Sequence, residues 1–385
     1  MTDAAVIRKC FVERFDAIPS LVRSPGRINL IGEHTDYHEG FVLPAAIDRD
    51  LVFAFAPSEN ESSTVAALDY DEAAVFDLRR EKLPEKSWQK YVAGALALLR
   101  KNGHVVPSFD CVFGGDLPSG AGLASSAALT AGLLFGLNHL FGLRLAPLSM
   151  ARLAQQVEHD YAGVQCGLMD PVANLFGKEG CFIKMDCRTV QHGFIPVHLK
   201  ETRLLLLDTG VRHTLGDSQY NQRRAQCEAV VGQLRKTYTT LKSLRDVSEE
   251  LLERHKRELD STGLQRCSYV IDENRRVVEG ASLLREHKFA AVGEKMFESH
   301  AGLRDQYQVS CPELDFLVEL ARNYDGVLGA RMMGAGFGGC TINLVGKNIG
   351  SDFEAAAQAQ YREKFKRDLQ ALPVEIKGGT ARVAG

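Results

Sequence analysis

Gly114-Gly-Asp-Leu-Pro-Ser-Gly-Ala-Gly-Leu-Ala-Ser-Ser-Ala-Ala128 carries a strand into a helix through a glycine-rich turn, and its reading decides the fold. Before it, Ser108 to Phe113 alternates enough apolar residues to predict a strand. After it, Ala124 to Phe141 is rich in Ala and Leu over a helical length. The turn therefore stands at a helix N-terminus, where unpaired backbone N–H groups and the positive end of the helix dipole converge. Gly120 and Gly122 let the backbone approach a phosphate with no Cβ in the way, and Ser125 and Ser126 bring hydroxyls into the first helical turn. This chemistry suits a nucleotide polyphosphate.

Two other readings of the stretch are weaker. Gly120-x-Gly122-x-x-Ser125 comes close to a dinucleotide fingerprint, but Ser replaces the third small residue and no acid follows about twenty residues on to hold a ribose. An NAD-dependent oxidoreductase is disfavoured on both grounds. Leu117 to Leu143 carries no Asp, Glu, Lys or Arg, as a membrane span would. Its glycines, adjacent serines, Asn138 and His139 argue instead for a helix buried in a soluble core.

The 385 residues suffice for a large core and two domains. An apolar fraction of 45% and a charged fraction of 25% are ordinary for a globular protein. The net charge of -3 gives no broad positive field for a nucleic acid, whereas a small anion needs only a local site. Nine cysteines form no CxxC pair and no Cys/His zinc spacing, and their odd number argues against a closed disulfide framework. Reduced thiols in a cytoplasm are the expectation. Met1 to Arg14 is broken by Asp3, Arg8, Lys9 and Glu13, which predicts no secretory leader.

Upstream of the turn, Leu21 to Leu78 reads as short strands, among them Ile28 to Ile31, Phe41 to Ile47 and Leu51 to Ala56. Within it, Arg27 precedes an apolar strand, and Glu33, His34 and Asp36 crowd the turn that follows. Such a cluster can satisfy the hydroxyls of a polyol, since carboxylates accept hydrogen bonds and Arg and His donate them; a solvated polar loop accounts for it equally. A charged connector, Arg79 to Lys86, leads to Trp88 and a helix through about Lys101. The tryptophan either flanks a nucleotide base or packs at a helix start. After Pro147, a helix from Leu148 to Tyr161 puts Leu153, Val157 and Tyr161 on one stripe with Glu158 beside it, either a surface acid or a metal ligand. Asp170 lies in an apolar, glycine-interrupted run, where an acid is either a paired structural group or a functional one. Strands Cys181 to Asp186 and His192 to Val197 end this half.

The second half opens with a strand, Arg203 to Asp208, followed by helices over Gln219 to Tyr238, Ser248 to Leu259, Gly263 to Arg285 and Phe289 to His300. A helix opened by Pro312, strands Val327 to Met333 and Cys340 to Val345, a further helix and a strand Pro373 to Lys377 complete it. Ser351 and Glu354 are spaced as a capping box for that last helix. Apart from the helical insertion the order is βαββαβ, the ferredoxin-like arrangement. Gly334-Ala-Gly-Phe-Gly-Gly339 matches GxGxxG, but a strand follows it, so it is either a hairpin loop or backbone packed against the phosphate turn or its ligand.

The three glycine-bearing stretches occur in the order and spacing of the GHMP small-molecule kinases, and within them the chain most resembles the galactokinase family. Gly26 to Tyr37 resembles the galactokinase signature, Pro118 to Ala128 the ATP motif and Arg331 to Cys340 the third motif, with further similarity through Glu158 to Asp170 and Arg212 to Tyr220. The resemblance implies an α+β, two-domain fold. Residues 1–200 would form a mixed α/β domain and residues 201–385 a ferredoxin-like domain with a helical insertion, with the active site in the cleft between them.

It also implies transfer of the γ-phosphoryl group of ATP to the C1 hydroxyl of D-galactose. Asp170 would be the acid/base and Arg27 its companion, with Ser126 and Glu158 ligating Mg²⁺. Ser119, Gly120, Ala121, Gly122, Leu123, Ala124, Ser125 and Ser126 would wrap the ATP phosphates, and Trp88 would approach adenine. Glu33, His34, Thr35, Asp36 and Tyr220 would hold galactose, with Gly167 close by. Galactose and ATP are the implied partners, without nucleic acid or membrane, for a monomer or weak homo-oligomer.

Ala124 stands where many members have Ser, Pro171 where Gln is usual and Met333 where Thr is usual. Pro171 predicts extended geometry for Asp170. Neither a GxxxxGK[ST] loop nor the HRD and DFG sets of protein kinases occur. A kinase for another sugar such as N-acetylgalactosamine, and a non-catalytic sensor of sugar and nucleotide, are the alternatives.

Overall fold

The computed structural model describes residues 4–77, 84, 87–212 and 219–383. The expected connector from Arg79 to Lys86, save Pro84, and residues 213–218 lie outside them. The first half comprises α1 (Ala4–Phe15), β1 (Ser20–Asn29), β2 (Phe41–Val42), β3 (Pro44–Pro57), β4 (Ser63–Ala67), β5 (Glu72–Phe76), α2 (Ser87–Lys101), β6 (Phe109–Gly115), α3 (Ser125–Phe141), α4 (Pro147–Val157), α5 (Met169–Phe176), β7 (Cys181–Asp186) and β8 (His192–Pro196). The second comprises β9 (Thr202–Asp208), α6 (Gln219–Arg235), α7 (Glu249–His255), α8 (Ser261–Arg285), α9 (Phe289–Gly302), α10 (Pro312–Arg322), β10 (Val327–Met332), β11 (Cys340–Gly346), α11 (Gly350–Phe365), β12 (Gln370–Val374) and β13 (Ala381–Val383).

Period-two alternation in β3 splits the first core into two layers. Leu51, Phe53 and Phe55 face α3, while Val52, Ala54 and Ala56 meet Ile7 and Phe11 of α1. The six-stranded sheet runs β13-β1-β3-β6-β4-β5, antiparallel except where β4 lies beside β6. Nearly every residue of α3 from Ala127 to Leu137 is buried, which explains its lack of charge. At Gly132 and Gly136 a Cβ would sit 2.4 and 2.1 Å from the rings of Phe53 and Phe55, so the helix lies on the sheet only because both side chains are absent. A small sheet, β2-β7-β8, flanks this layer.

The second sheet runs β10-β11-β9-β12, all antiparallel, which is the ferredoxin-like strand order. In β9, Leu205 and Leu207 pack with residues of α9, α10 and α11, while Leu204 and Leu206 join the core of the first sheet. One apolar core therefore spans both halves and fixes the cleft between them. Among the described residues no helix is long and apolar enough to cross a membrane, and all nine cysteines are free thiols.

Several local expectations change. β1 ends at Asn29 rather than Ile31, and the two strands expected over Phe41 to Ile47 and Leu51 to Ala56 become the short β2 and one long β3. α11 starts at Gly350 with Ile349 as its uncapped N-cap, so Ser351 is already inside the first turn and forms no capping box with Glu354. The C-terminal segment crosses back, and β13 pairs with β1 of the first sheet; the unit expected over 201–385 gives up its last strand to the first half. Asp170 is helical, in the first turn of α5. Pro171 is compatible with this because a first-turn residue has no intrahelical partner for the N–H that proline lacks.

Candidate active site

The phosphate turn is shaped by three left-handed residues, Gly120 at φ 69°, Gly122 at φ 79° and Ala124 at φ 59°. Ala124 is the N-cap of α3 and offers no side-chain oxygen to the first helical N–H groups, which leaves them for a ligand. The second glycine loop packs main chain to main chain against this turn. A Cβ on Gly122 would lie 2.8 Å from the Met333 carbonyl oxygen, and one on Gly334 would lie 2.8 Å from Cα of Gly122. Both readings of Gly334 to Gly339 hold: the stretch is the loop joining antiparallel β10 and β11, and its backbone packs against the phosphate turn.

A register shift between Pro25 and Arg27 bends β1 at the cleft. Arg27, 4% exposed, donates through Nε and Nη2 to the two carboxylate oxygens of Asp170 at 2.8 and 2.9 Å, and through Nη1 to the Gly122 carbonyl at 2.5 Å. One guanidinium thus ties the acid of α5 to the phosphate turn. Burial alone would lower its pKa, but Asp170 and Glu33 outweigh that and raise it.

The cleft holds about 1050 Å³ of space free of protein atoms, solvent at its mouth included, and residues of both halves line it. Four carboxylates face it: Glu33, Asp36, Glu158 and Asp170. Burial pushes Asp36 up to about 6, with Asp170 adding to the effect. Burial pushes Glu158 up to about 7, again with Asp170 adding, although hydroxyls of Ser126 and Tyr91 oppose it. Glu33 behaves otherwise: burial would raise it, but Arg331 and Arg27 hold it below its ordinary value. Its Oε1 accepts from Nη2 of Arg331 at 2.8 Å and from the Gly334 N–H at 2.9 Å. Glu33 therefore binds the third motif to the first.

Glu158 opens a π-helical turn, Glu158–Ala162, and is 6% exposed with no cation paired to it among the described residues. No group of three or more His, Cys, Asp or Glu that could hold a metal occurs among those residues. A carboxylate, a serine hydroxyl and nearby phosphate oxygens are nevertheless the donor set that suits a magnesium ion, which keeps several waters.

His34, Tyr220 and Asp36 gather at the opposite end. His34 lies in the left-handed region at φ 62°, and burial lowers its pKa to about 4. Its ring centroid is 5.5 Å from that of Tyr220. Gly167 does not line the cavity, yet a Cβ there would come within 2.2 Å of Asp36 Oδ2, so its bareness makes room for that carboxylate.

Besides Gly167, four expected site residues lie outside the cavity lining. Trp88 is 4% exposed, packs against Phe76 and Phe113 and donates its indole N–H to Glu72 at 2.8 Å, so a ring needed in the core does not reach the cavity. Thr35 turns its hydroxyl back onto the Gly32 and Phe41 carbonyls. Ala121 is fully buried in the core, and Ser119 meets the Tyr70 hydroxyl at 2.9 Å outside the cavity. Gly120, Gly122, Leu123, Ala124, Ser125 and Ser126 do line it.

Tyr91 and Arg331 were missed. Tyr91 sits on α2 with its hydroxyl 3.3 Å from Glu158 Oε2. Arg331 is fully buried and also donates to the carbonyls of Asn29, Leu30 and Met332; a charge inside an apolar strand was the available signal. Arg212 also borders the phosphate turn. Its guanidinium is clamped by buried Asp208 through two 2.6 Å bonds, and its stem covers Gly120, where a Cβ would lie 2.8 Å from Cδ.

Comparison with known proteins adds an independent line. Residues 9–57 match the galactokinase galactose-binding signature, residues 90–178 the N-terminal domain of GHMP kinases and residues 281–364 their C-terminal domain. The galactokinase of Roseiflexus sp. (strain RS-1) is 38% identical over 384 residues, covering 100% of this chain and 98% of that one. The galactokinase of Thermotoga maritima is 36% identical over 363 residues, covering 94% and 99%. Among solved structures, Lactococcus lactis galactokinase complexed with galactose superimposes with a TM-score of 0.94 at 32% identity, covering 98% and 99%. Methanococcus jannaschii mevalonate kinase, at 17% identity and a TM-score of 0.66, covering 94% and 99%, shares the fold.

Proposed function

This chain belongs to the galactokinase family of GHMP kinases, and from that membership we infer that it moves the γ-phosphoryl group of ATP onto the C1 hydroxyl of D-galactose through the residues gathered in the cleft. ATP is the co-substrate. The single observation that supports the assignment of roles is the two-pronged Arg27–Asp170 pair, joined by the same guanidinium to the phosphate turn.

Asp170 accepts the proton of the C1 hydroxyl as its oxygen forms the new bond to the γ-phosphorus. The bond from that phosphorus to the β,γ-bridging oxygen breaks, and ADP leaves. Phosphoryl transfer of this kind needs mostly positioning and charge neutralisation. Arg27 holds the Asp170 carboxylate in place through its two hydrogen bonds. The amides of the turn and the N-terminus of α3 hold the phosphates in the absence of a P-loop lysine, and the Arg212 stem, anchored by Asp208, packs on Gly120. Ser126 and Glu158 fit Mg²⁺, since a buried carboxylate pushed up to about 7, with no cation paired to it among the described residues, is stabilised by one. Bound there, Mg²⁺ supplies charge neutralisation for the phosphates. Glu33, His34, Asp36 and Tyr220 meet the sugar hydroxyls.

The test is ADP release over a panel of sugars, with galactose as the expected acceptor. Asp170→Ala should lower kcat about 10²- to 10⁴-fold while nucleotide binding persists. Turnover equal to wild type would remove Asp170 as the base.

A further inference from the structure

His34 faces the cavity, and one of its ring nitrogens is held from behind. Its Nδ1 is 2.5 Å from the Tyr37 hydroxyl, which is 2.9 Å from the hydroxyl of Tyr307. The latter lies 3.4 Å from Nε2 of His38 and 4.0 Å from Sγ of Cys227. All five residues are at most 9% exposed. The other nitrogen of His34, Nε2, is buried without a hydrogen-bond partner among the described residues. The Ala335 backbone, also at the cavity, lies beside the ring and favours a protonated nitrogen, without a hydrogen bond of normal geometry.

A neutral imidazole carries one ring proton, so the bond made by one nitrogen determines what the other offers. A phenol is a much stronger acid than a neutral imidazole N–H, and the bare imidazole nitrogen is the stronger base, so the contact runs from the Tyr37 O–H to Nδ1. With its one proton committed, the Tyr37 oxygen accepts from Tyr307. The Tyr307 oxygen accepts in turn from His38 Nε2 or the Cys227 thiol. The chain then has one direction, and it ends on an Nε2–H that has no partner among the described residues, on a side chain that lines the cavity.

We propose that Tyr37 and Tyr307 are positioning residues for sugar recognition, their hydroxyl relay locking His34 in the tautomer whose Nε2–H donates to one galactose hydroxyl oxygen. Tyr307 lies 270 residues beyond Tyr37, in the π-helical turn Leu303–Tyr307 that follows α9. The second half of the chain thereby sets the polarity of a sugar-binding group in the first. The proposal rests on the reading of His34 as a sugar contact, and the experiment separates the two.

Kinetics of His34→Gln, Tyr37→Phe and Tyr307→Phe are measured with galactose and with its 2-, 3-, 4- and 6-deoxy analogues. The first two variants should raise the galactose KM about tenfold and the third about threefold, with the KM for ATP unchanged. All three penalties should vanish on the same deoxy sugar. A His34→Gln penalty spread evenly over the panel removes the sugar contact, and the relay with it. A His34→Gln penalty confined to one deoxy sugar, with tyrosine penalties that are even or absent, overturns the relay alone. A measurement free of any folding defect is ¹⁵N NMR of the wild-type histidines at neutral pH: His34 should show a bare Nδ1 and a protonated Nε2, and the opposite tautomer overturns the proposal.

Discussion

At the nucleotide end of the cleft the shaping groups are main chain: the amides and carbonyls of Gly120 to Ala124, the uncapped start of α3 and the Gly334 backbone pressed against them. At the sugar end they are buried and half-buried side chains, and several are tied from behind, Glu33 by Arg331 and Gly334, Asp36 by the Tyr37 N–H and His34 by Tyr37. A polyphosphate carries diffuse charge that N–H groups, a helix dipole and a cation can meet from many directions. A neutral sugar offers only directional hydroxyls, so each partner must be held in one orientation and one protonation state. Damage to the first end should therefore come from crowding the backbone, and damage to the second from changing a single proton or hydrogen bond.

The largest expected effect breaks the nucleotide end alone. Gly122→Val places a branched side chain at φ 79°, with its Cβ 2.8 Å from the Met333 carbonyl oxygen. Steady-state kinetics should show kcat/KM for ATP falling about a hundredfold or more, while galactose binding measured by calorimetry changes little. Loss of galactose binding to the same degree would show that the two ends are not separately built.

A smaller effect sharpens the sugar end. Asp36 is pushed up to about 6 from a model-compound value of 3.8, chiefly by burial. The folded, ligand-free protein thus holds a proton between about pH 4 and 6 that the unfolded chain has released; this stability is complete below about pH 4 and is lost as pH rises through 6. Relative to Asp36→Asn, wild type should lose about 2 to 3 kcal/mol between pH 4 and 7 in denaturant melts. Its galactose KM should fall as pH rises from about 5 to 7, because the ionised carboxylate is the better acceptor, with the KM for ATP flat over the same range. A stability difference independent of pH would contradict the burial of Asp36.

The smallest effect concerns a residue assigned to neither end. Trp88→Phe should cost about 1 to 3 kcal/mol of stability by thermal or chemical denaturation, through lost packing on Phe76 and Phe113 and the lost hydrogen bond to Glu72, and leave both KM values unchanged. A raised KM for ATP would return Trp88 to the nucleotide end.

The legible and illegible parts of the sequence divide along similar lines. The phosphate turn could be read because glycines and serines at a strand-to-helix junction have local consequences, and the ferredoxin-like half because its strands and helices follow one another in order. β13 could not: Ala381-Arg-Val383 has no pattern of its own and becomes a strand only by pairing with β1, some 360 residues earlier in the chain. α1 also went unread, since only Ile7 and Phe11 of its twelve residues are buried. Trp88 and Tyr307 illustrate the same limit from opposite sides. The packing of the one and the hydrogen bonds of the other depend on partners that no local spacing encodes.

The account rests on the sugar and the γ-phosphate meeting at Asp170, and the direct measurement is a crystal structure with galactose and a non-hydrolysable ATP analogue bound together. The expected result is a C1 oxygen about 3 Å from the Asp170 carboxylate and in line with the γ-phosphorus, with the phosphates on the amides of Gly120 to Ser126. A sugar bound with C1 turned away from Asp170, or phosphates seated away from that turn, would contradict it.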